Sequence, residues 1–165
     1  MPLQRLPDLR LVDAPVGLEV PGEGDVLGDP FRIELPTLLV ANKSDHTVDL
    51  IDLETGTSRA TLPTGRAPHE VAVSPDGTTA VVANYGDRST PGSTLTVLDI
   101  PAGRVLRTID LGEHTRPHGL AFLTADRVAV TTEGSAHLVV VDPASGSIVF
   151  STKRSSTSWL PPSWT

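Results

Sequence analysis

The sequence contains no cysteine, few aromatic residues and no long apolar run. Without cysteine, disulfides and thiolate metal sites are excluded. Aromatic residues make up 4% of the 165 residues, so the core must be built from valine, leucine, isoleucine and alanine. No apolar run approaches the ~20 residues of a membrane-spanning helix. The first residues do not resemble a secretory signal, because proline and aspartate interrupt them. The cellular compartment therefore stays open.

Clustered positive charge is also missing. The net charge is −7, and lysine and arginine form no run anywhere in the chain. A sequence-independent grip on nucleic acid needs clustered cations that displace counterions from the phosphates. We therefore expect no nucleic-acid partner, and a small molecule or another protein remains as the possible partner.

Proline and glycine are abundant, at 15 and 14 residues. Such frequent turn residues are typical of many short strands joined by tight turns, and they disfavour long helices. The apolar residues show no helical periodicity in any segment. The sequence therefore predicts an all-β fold.

An internal repeat is the most informative feature of the sequence. Residues 38–56, 80–103 and 128–146 each show an apolar run, a polar turn, a second apolar run and then Asp-x-x-x-Gly. The aspartates of this last motif, Asp52, Asp99 and Asp142, lie 47 and 43 residues apart, and the longer interval contains an insertion at residues 87–93. We expect each aspartate to cap its turn through its side chain. A period in the forties with four short strands is typical of a propeller blade.

Four strands are predicted within the middle repeat, at residues 69–74, 79–84, 94–100 and 104–111. The first three carry apolar residues on both faces, as expected for strands packed between neighbouring sheets. The fourth mixes arginine and aspartate with valine and leucine, which is typical of an outer strand half in water.

The stretch "PHEVAVSPDG" followed by "VVAN" and an Asp-x-x-x-Gly turn resembles the YVTN-type β-propeller repeat. Here "VVAN" and "LLVAN" stand in place of the family's tetrapeptide, and the resemblance covers residues 38–152. It implies four-stranded antiparallel blades, about three of them from an expected ring of about seven. It also implies a scaffold shared by binding proteins, lactonase-like enzymes and haem-carrying oxidoreductases, many of them exported.

Three regions are expected along the chain: an irregular segment at 1–37, a partial propeller at 38–152 and an irregular tail at 153–165. Residues 29–36 could add one more strand. The expectation is an open part of a ring, from a truncated, frameshifted or longer protein. A half-propeller that dimerises is the alternative. Open blades leave apolar faces uncovered, so self-association is expected.

Polar residues gather at one predicted rim, because the first strand of a blade starts where the second strand ends. Propellers commonly bind ligands at that rim. The predicted ligand-binding residues are His69, Glu70, Asn84, Tyr85, Arg116, His118 and Glu133.

Two roles stay open for the histidines that follow proline, His69 and His118. They either hydrogen-bond a neighbouring blade and keep the ring in register, or contact a ligand. His46 and His137 are expected to face solvent.

The expected function is a non-catalytic binding module, with no catalytic residue and no cofactor predicted. The alternative is a lactonase-like or metal-assisted hydrolase that uses Glu70, Asn84, His118 and Glu133, inactive as this partial chain. A divalent metal is left open, although no metal-binding motif occurs. A haem protein is disfavoured because Cys-x-x-Cys-His is missing.

Overall fold

Eleven antiparallel strands in three sheets form the regular structure of residues 36–153, which are the residues described in this computed structural model. Within them, no helix is long and apolar enough to cross a membrane. The strands are β1 (Thr37–Asn42), β2 (Thr47–Asp52), β3 (Ser58–Pro63), β4 (Pro68–Val73), β5 (Thr79–Gly86), β6 (Pro91–Asp99), β7 (Arg104–Asp110), β8 (Pro117–Thr124), β9 (Arg127–Thr132), β10 (His137–Val141) and β11 (Ile148–Lys153). The predicted all-β fold is confirmed.

The second sheet, with strand order β4-β5-β6-β7, is the repeat unit expected from the sequence. The four predicted strands coincide with β4 to β7, and the largest difference lies at the start of β6. There the insertion continues the pairing of β5 with β6 as far as Gly86 opposite Pro91. The insertion therefore lengthens a hairpin.

The third sheet repeats this arrangement with β8 to β11, whereas the first sheet has three strands in the order β1-β2-β3. By their place in the repeat, β1, β2 and β3 correspond to the second, third and fourth strands of a unit. The strand expected within residues 29–36 lies almost wholly outside the described residues. So do the irregular segments expected at 1–37 and 153–165, which stay predictions.

The core consists of two apolar layers, one on each side of the second sheet. Ala80 and Val82 of β5 pack toward the first sheet, whereas Val81 and Ala83 pack toward the third. Successive side chains of a strand point to opposite faces, so the continuous apolar run of β5 supplies both layers. Complete burial of one valine contributes about 1.5–3 kcal/mol. Within the described residues, the three sheets do not close into a ring.

Aspartate side chains close the turn after the third strand of the repeat, as predicted. Asp52 Oδ1 accepts hydrogen bonds from the backbone N–H groups of Thr55 at 3.1 Å and Glu54 at 2.8 Å. Asp142 accepts two bonds from its own turn in the same way. Gly56, at the end of the first of these turns, has a φ of +68°, which favours glycine. These backbone donors lower the pKa of Asp52 and Asp142.

Acid should therefore destabilise the protein through these turns. A carboxyl with a lowered folded-state pKa is protonated first in the unfolded chain. Its stabilisation is present above the unfolded-state pKa, about 3.9 for aspartate, and is lost as the pH falls through the folded-state pKa. The free energy of unfolding in urea should therefore decrease between about pH 7 and about pH 3, and it should decrease less in Asp52→Asn.

The control for this prediction is Asp45→Asn, at an exposed residue in the turn between β1 and β2. It should leave the pH dependence of the unfolding free energy close to that of the unmodified protein. Equal flattening by both substitutions would contradict the role assigned to the Asp52 turn.

Candidate functional site

Each of the two Pro-His pairs lies at a β-bulge where an inner strand begins. The register between β4 and β5 shifts between Pro68 and Val71, and the register between β8 and β9 shifts between Pro117 and Leu120. A bulge places one extra residue on its strand and re-aims the neighbouring side chains. His69 and Glu70 lie in the first bulge, and His118 lies in the second.

The residue before each proline has a left-handed backbone and ties its strand to the preceding sheet. Ala67 has a φ of 50° and Arg116 a φ of 58°. The N–H of Ala67 donates to His46 Nδ1 at 3.0 Å, and the N–H of Arg116 donates to Gly92 O at 2.7 Å. The left-handed region costs about 1–2 kcal/mol for a residue with a side chain. The hydrogen bonds offset that cost and hold neighbouring sheets in register.

His69, Glu70 and His118 come together where β4 and β8 begin. The two imidazole rings have centroids 4.5 Å apart, at an angle of 41°. Glu70 Oε1 lies 3.5 Å from His69 Nδ1 and 3.9 Å from His118 Nδ1. The side chains of His69, Glu70 and His118 are 32%, 44% and 42% exposed, so water or a solute can reach all three.

Tyr85 lies beside both imidazoles and connects the second sheet to the third. Its ring centroid is 5.3 Å from that of His69 and 5.7 Å from that of His118. Its hydroxyl donates a hydrogen bond of 2.5 Å to Glu133 Oε2. We use the name rim cluster for His69, Glu70, Tyr85, Arg116, His118 and Glu133.

Two cations flank the tyrosine ring. Lys43 Nζ lies 5.4 Å and Arg116 Cζ 5.1 Å from the ring centroid of Tyr85, within cation–π range. Arg116 also donates to the backbone oxygen of Asp87 at 3.0 Å. The side chain of Asp87 pairs with Arg66 at 2.6 Å. The insertion therefore holds arginines from two successive junctions.

The carboxyl of Asp87 is strongly held in its ionised form. The hydroxyl of Ser89 donates to it at 2.7 Å, and the Arg66 guanidinium donates to its other oxygen. These two donors hold the pKa of Asp87 well below its usual range. The insertion thus holds an ion pair between Arg66 and Asp87 next to the rim cluster.

Asn84 has a different environment from the other predicted ligand-binding residues. Its side chain is fully buried, and its amide donates to Thr94 Oγ1 and Thr96 Oγ1, each at 3.0 Å. A Cβ added at Gly65 would come within 2.6 Å of that amide, so the backbone packs tightly against it. Asn42, at the same place in the first sheet, also donates to cross-strand side chains. Because asparagine recurs at this position of the repeat, the sequence already indicated a structural role for Asn84.

The histidine that bonds a neighbouring sheet's backbone is His46, which accepts from Ala67. His46 is exposed as expected, but sequence reasoning missed this bond. His137, which was expected to face solvent, is half-buried. Its ring lies 4.7 Å from that of His114, and its Nδ1 lies 2.7 Å from the backbone oxygen of Ser135. His69 and His118 instead contact each other through tilted rings within the rim cluster.

A cleft of about 760 Å³ opens beside the rim cluster. His118 and Glu133 belong to both, and Thr131, His137 and Leu138 add to the wall of the cleft. Its volume falls in the range of about 300–1,000 Å³ that small-molecule sites occupy.

No family model and no curated protein matches the chain. Among solved structures it resembles Kuenenia stuttgartiensis hydrazine synthase, with 25% sequence identity and a TM-score of 0.59 over 70% of this chain. The matched region is 33% of the hydrazine synthase chain, so the similarity spans about a third of that chain's length. The similarity concerns the sheet architecture.

The bond between His46 and Ala67 should be important for stability. His46→Ala should lower the free energy of unfolding by about 1–3 kcal/mol, because it leaves a buried N–H without its acceptor. His46→Asn should lose less, since asparagine offers an oxygen near the position of Nδ1 and tolerates a positive φ. Urea denaturation of both variants measures the difference. An equal loss in both would exclude the hydrogen bond as the cause, and Ser44→Ala in the same turn serves as the control.

Proposed function

We propose that this chain forms about three blades of a YVTN-type β-propeller, from a ring of about seven. The blades act as a scaffold that binds a small molecule or a partner protein at the rim cluster. The repeat supports the propeller assignment, since two four-stranded sheets and one three-stranded sheet share strand order and turn chemistry. Equivalent positions of adjacent sheets also touch at the rim, as they would around a ring: His69 with His118, and Tyr85 with Glu133.

The convergence of His69, Glu70, Tyr85 and His118 carries the proposed binding role. These side chains come from two sheets, and each lies at or beside the end of a paired strand. Side chains held by packed strands keep their geometry without a ligand, which lowers the entropy cost of binding. They are also exposed enough to be reached from solvent.

The chemistry of the rim cluster favours a polar small molecule with an aromatic or planar part. Tyr85 and the imidazoles offer ring faces, whereas Arg116 and the carboxylates offer directed polar contacts. The adjoining cleft of about 760 Å³ has room for such a molecule. We therefore favour a small-molecule ligand over a protein at this position.

A fragment screen by two-dimensional NMR tests this role. Small heterocycles and carboxylates added to the isotope-labelled chain should shift signals of His69, Tyr85 and His118. Tyr85→Ala should weaken binding about tenfold or more, which corresponds to about 1.4 kcal/mol. Phe150→Ala, at an exposed aromatic residue of β11, should not change binding. Shifts confined to other parts of the chain would contradict the assignment of this site.

A metal-assisted, lactonase-like hydrolase is the second candidate. The proximity of Glu70 to His118 favours it, because a metal ion held there could polarise a carbonyl group. Asn84, which the sequence assigned to the same role, has its amide engaged in the interior. A site that draws ligands from most blades of a ring would be inactive in this chain alone. A rise in melting temperature with a divalent metal ion, lost in His118→Ala and in Glu133→Ala, would favour this candidate over the binding module.

The outer face of the third sheet is a further surface for association. Leu95 and Val97 of β6 are completely buried where the second sheet packs on the third. Their equivalents in the repeat are Leu138 and Val140 of β10, and Leu138 is 39% exposed. Phe150 lies opposite Val140 on β11 and is 52% exposed. We propose that another blade, such as one from a second copy, packs on this face and covers the part of the cleft that Leu138 lines.

Sedimentation velocity at increasing protein concentration should therefore show self-association. Leu138→Lys should reduce it, because a charge on this face would lose its water on association. Leu106→Lys introduces the same charge at an exposed leucine of β7, the outer strand of the second sheet, and should have little effect. A protein that stays monomeric throughout, or an equal effect of both substitutions, would refute the proposed surface.

A further inference from the structure

We propose that His69, Glu70 and His118 bind one divalent transition-metal ion, with Zn²⁺ as its representative. The site lies inside the rim cluster and rests on the binding role proposed above. One potential ligand atom from each side chain lies within 4.8 Å of the other two. The three side chains come from two sheets, so the ion would connect the second sheet to the third.

The distances within the group are longer than direct hydrogen bonds and close to the spacing of ligands around one ion. An imidazole nitrogen and a carboxylate oxygen joined by a hydrogen bond lie about 2.7–3.2 Å apart. Here the separations from Glu70 Oε1 are 3.5 Å to His69 and 3.9 Å to His118. Zinc binds nitrogen and oxygen at about 2.0–2.2 Å, which places tetrahedral neighbours about 3.3–3.6 Å apart. The ligand atoms lie up to 4.8 Å apart, so the longest separation must shorten by about 1 Å to reach that spacing.

The ligand types indicate which ions would bind. Imidazole nitrogen suits Zn²⁺, Co²⁺, Ni²⁺ and Cu²⁺, whereas Ca²⁺ and Mg²⁺ require mostly oxygen ligands. Two histidines and one glutamate leave a fourth position for water or for a ligand. Because His118 also lines the adjoining cleft, a molecule in the cleft could reach that position.

The difference between the two repeats supports a composite site. Glu70 follows His69, but Gly119 follows His118, at the equivalent place of the next repeat. A Cβ at Gly119 would lie 3.1 Å from Thr131 Oγ1, closer than most such contacts. One carboxylate therefore serves two imidazoles. If the histidines only kept the sheets in register, neither repeat would require a carboxylate at this point.

Titration calorimetry with Zn²⁺ tests the site on the whole chain, freed of purification tags and treated with a chelator. We expect one ion to bind per chain. Binding should weaken by at least about 10–100-fold in each of the variants His69→Gln, Glu70→Gln and His118→Gln. That loss is typical even when the group removed only hydrogen-bonds a metal ligand. Co²⁺ bound at this site should show visible absorption typical of four-coordinate cobalt. Circular dichroism and urea midpoints establish that each variant is folded.

The matched control is Glu54→Gln, which removes an exposed carboxylate in the turn after β2, outside both the rim cluster and the cleft. It should leave Zn²⁺ affinity unchanged. Absence of Zn²⁺ binding, or an equal loss in Glu54→Gln, would overturn the proposed site. The fragment screen repeated in the presence of chelator separates the two proposals. If fragments bind the rim cluster but Zn²⁺ does not bind, the metal site is refuted and the binding role is kept. If Zn²⁺ binds but no fragment binds, the binding role is refuted and the metal site is kept.

Discussion

The packing of the second sheet between its two neighbours holds the candidate site together. β5 buries Val81 on one face and Val82 on the other, so a single strand contributes to both apolar layers. His69 belongs to the second sheet and His118 to the third. They can stack only while the layer that includes Val81 and Val130 keeps those sheets at a fixed spacing. The polar rim thus depends on an apolar interior whose fully buried residues are aliphatic.

The junctions that lead into β4 and β8 convert this packing into a defined arrangement of side chains. Proline fixes φ at the start of the strand, and the residue before it adopts a left-handed conformation. A bulge follows directly, and the N–H before the proline is bonded to the preceding sheet. The left-handed residue and the bulge are unfavourable or neutral in isolation, and the hydrogen bond offsets their cost. Together they position a histidine identically in successive sheets, and identical positions in adjacent sheets lie side by side.

Most of the architecture could be predicted from the sequence, because strand periodicity and turn residues are local signals. The strands β4 to β7 and the aspartate-capped turns follow from such signals. Local signals do not show which face of a strand a terminal side chain occupies. Asn84 points inward and bonds Thr94 and Thr96, whereas the adjacent Tyr85 reaches the rim. The bond from Ala67 to His46 joins residues 21 positions apart across two sheets, so it depends on how the sheets stack.

Departures from the repeat are more informative about chemistry than the repeat itself. Lys43, Tyr85 and Glu133 occupy one equivalent position in three successive sheets, yet they differ in charge and size. They nevertheless form a contact chain, with the lysine over the tyrosine ring and the tyrosine hydroxyl on the glutamate. Identical residues would have repeated a like charge at short distance, which is destabilising. Because different residues occupy the same position in successive sheets, the repeating scaffold presents a surface with positive, aromatic and negative side chains. The rim cluster has the composition that such divergence produces.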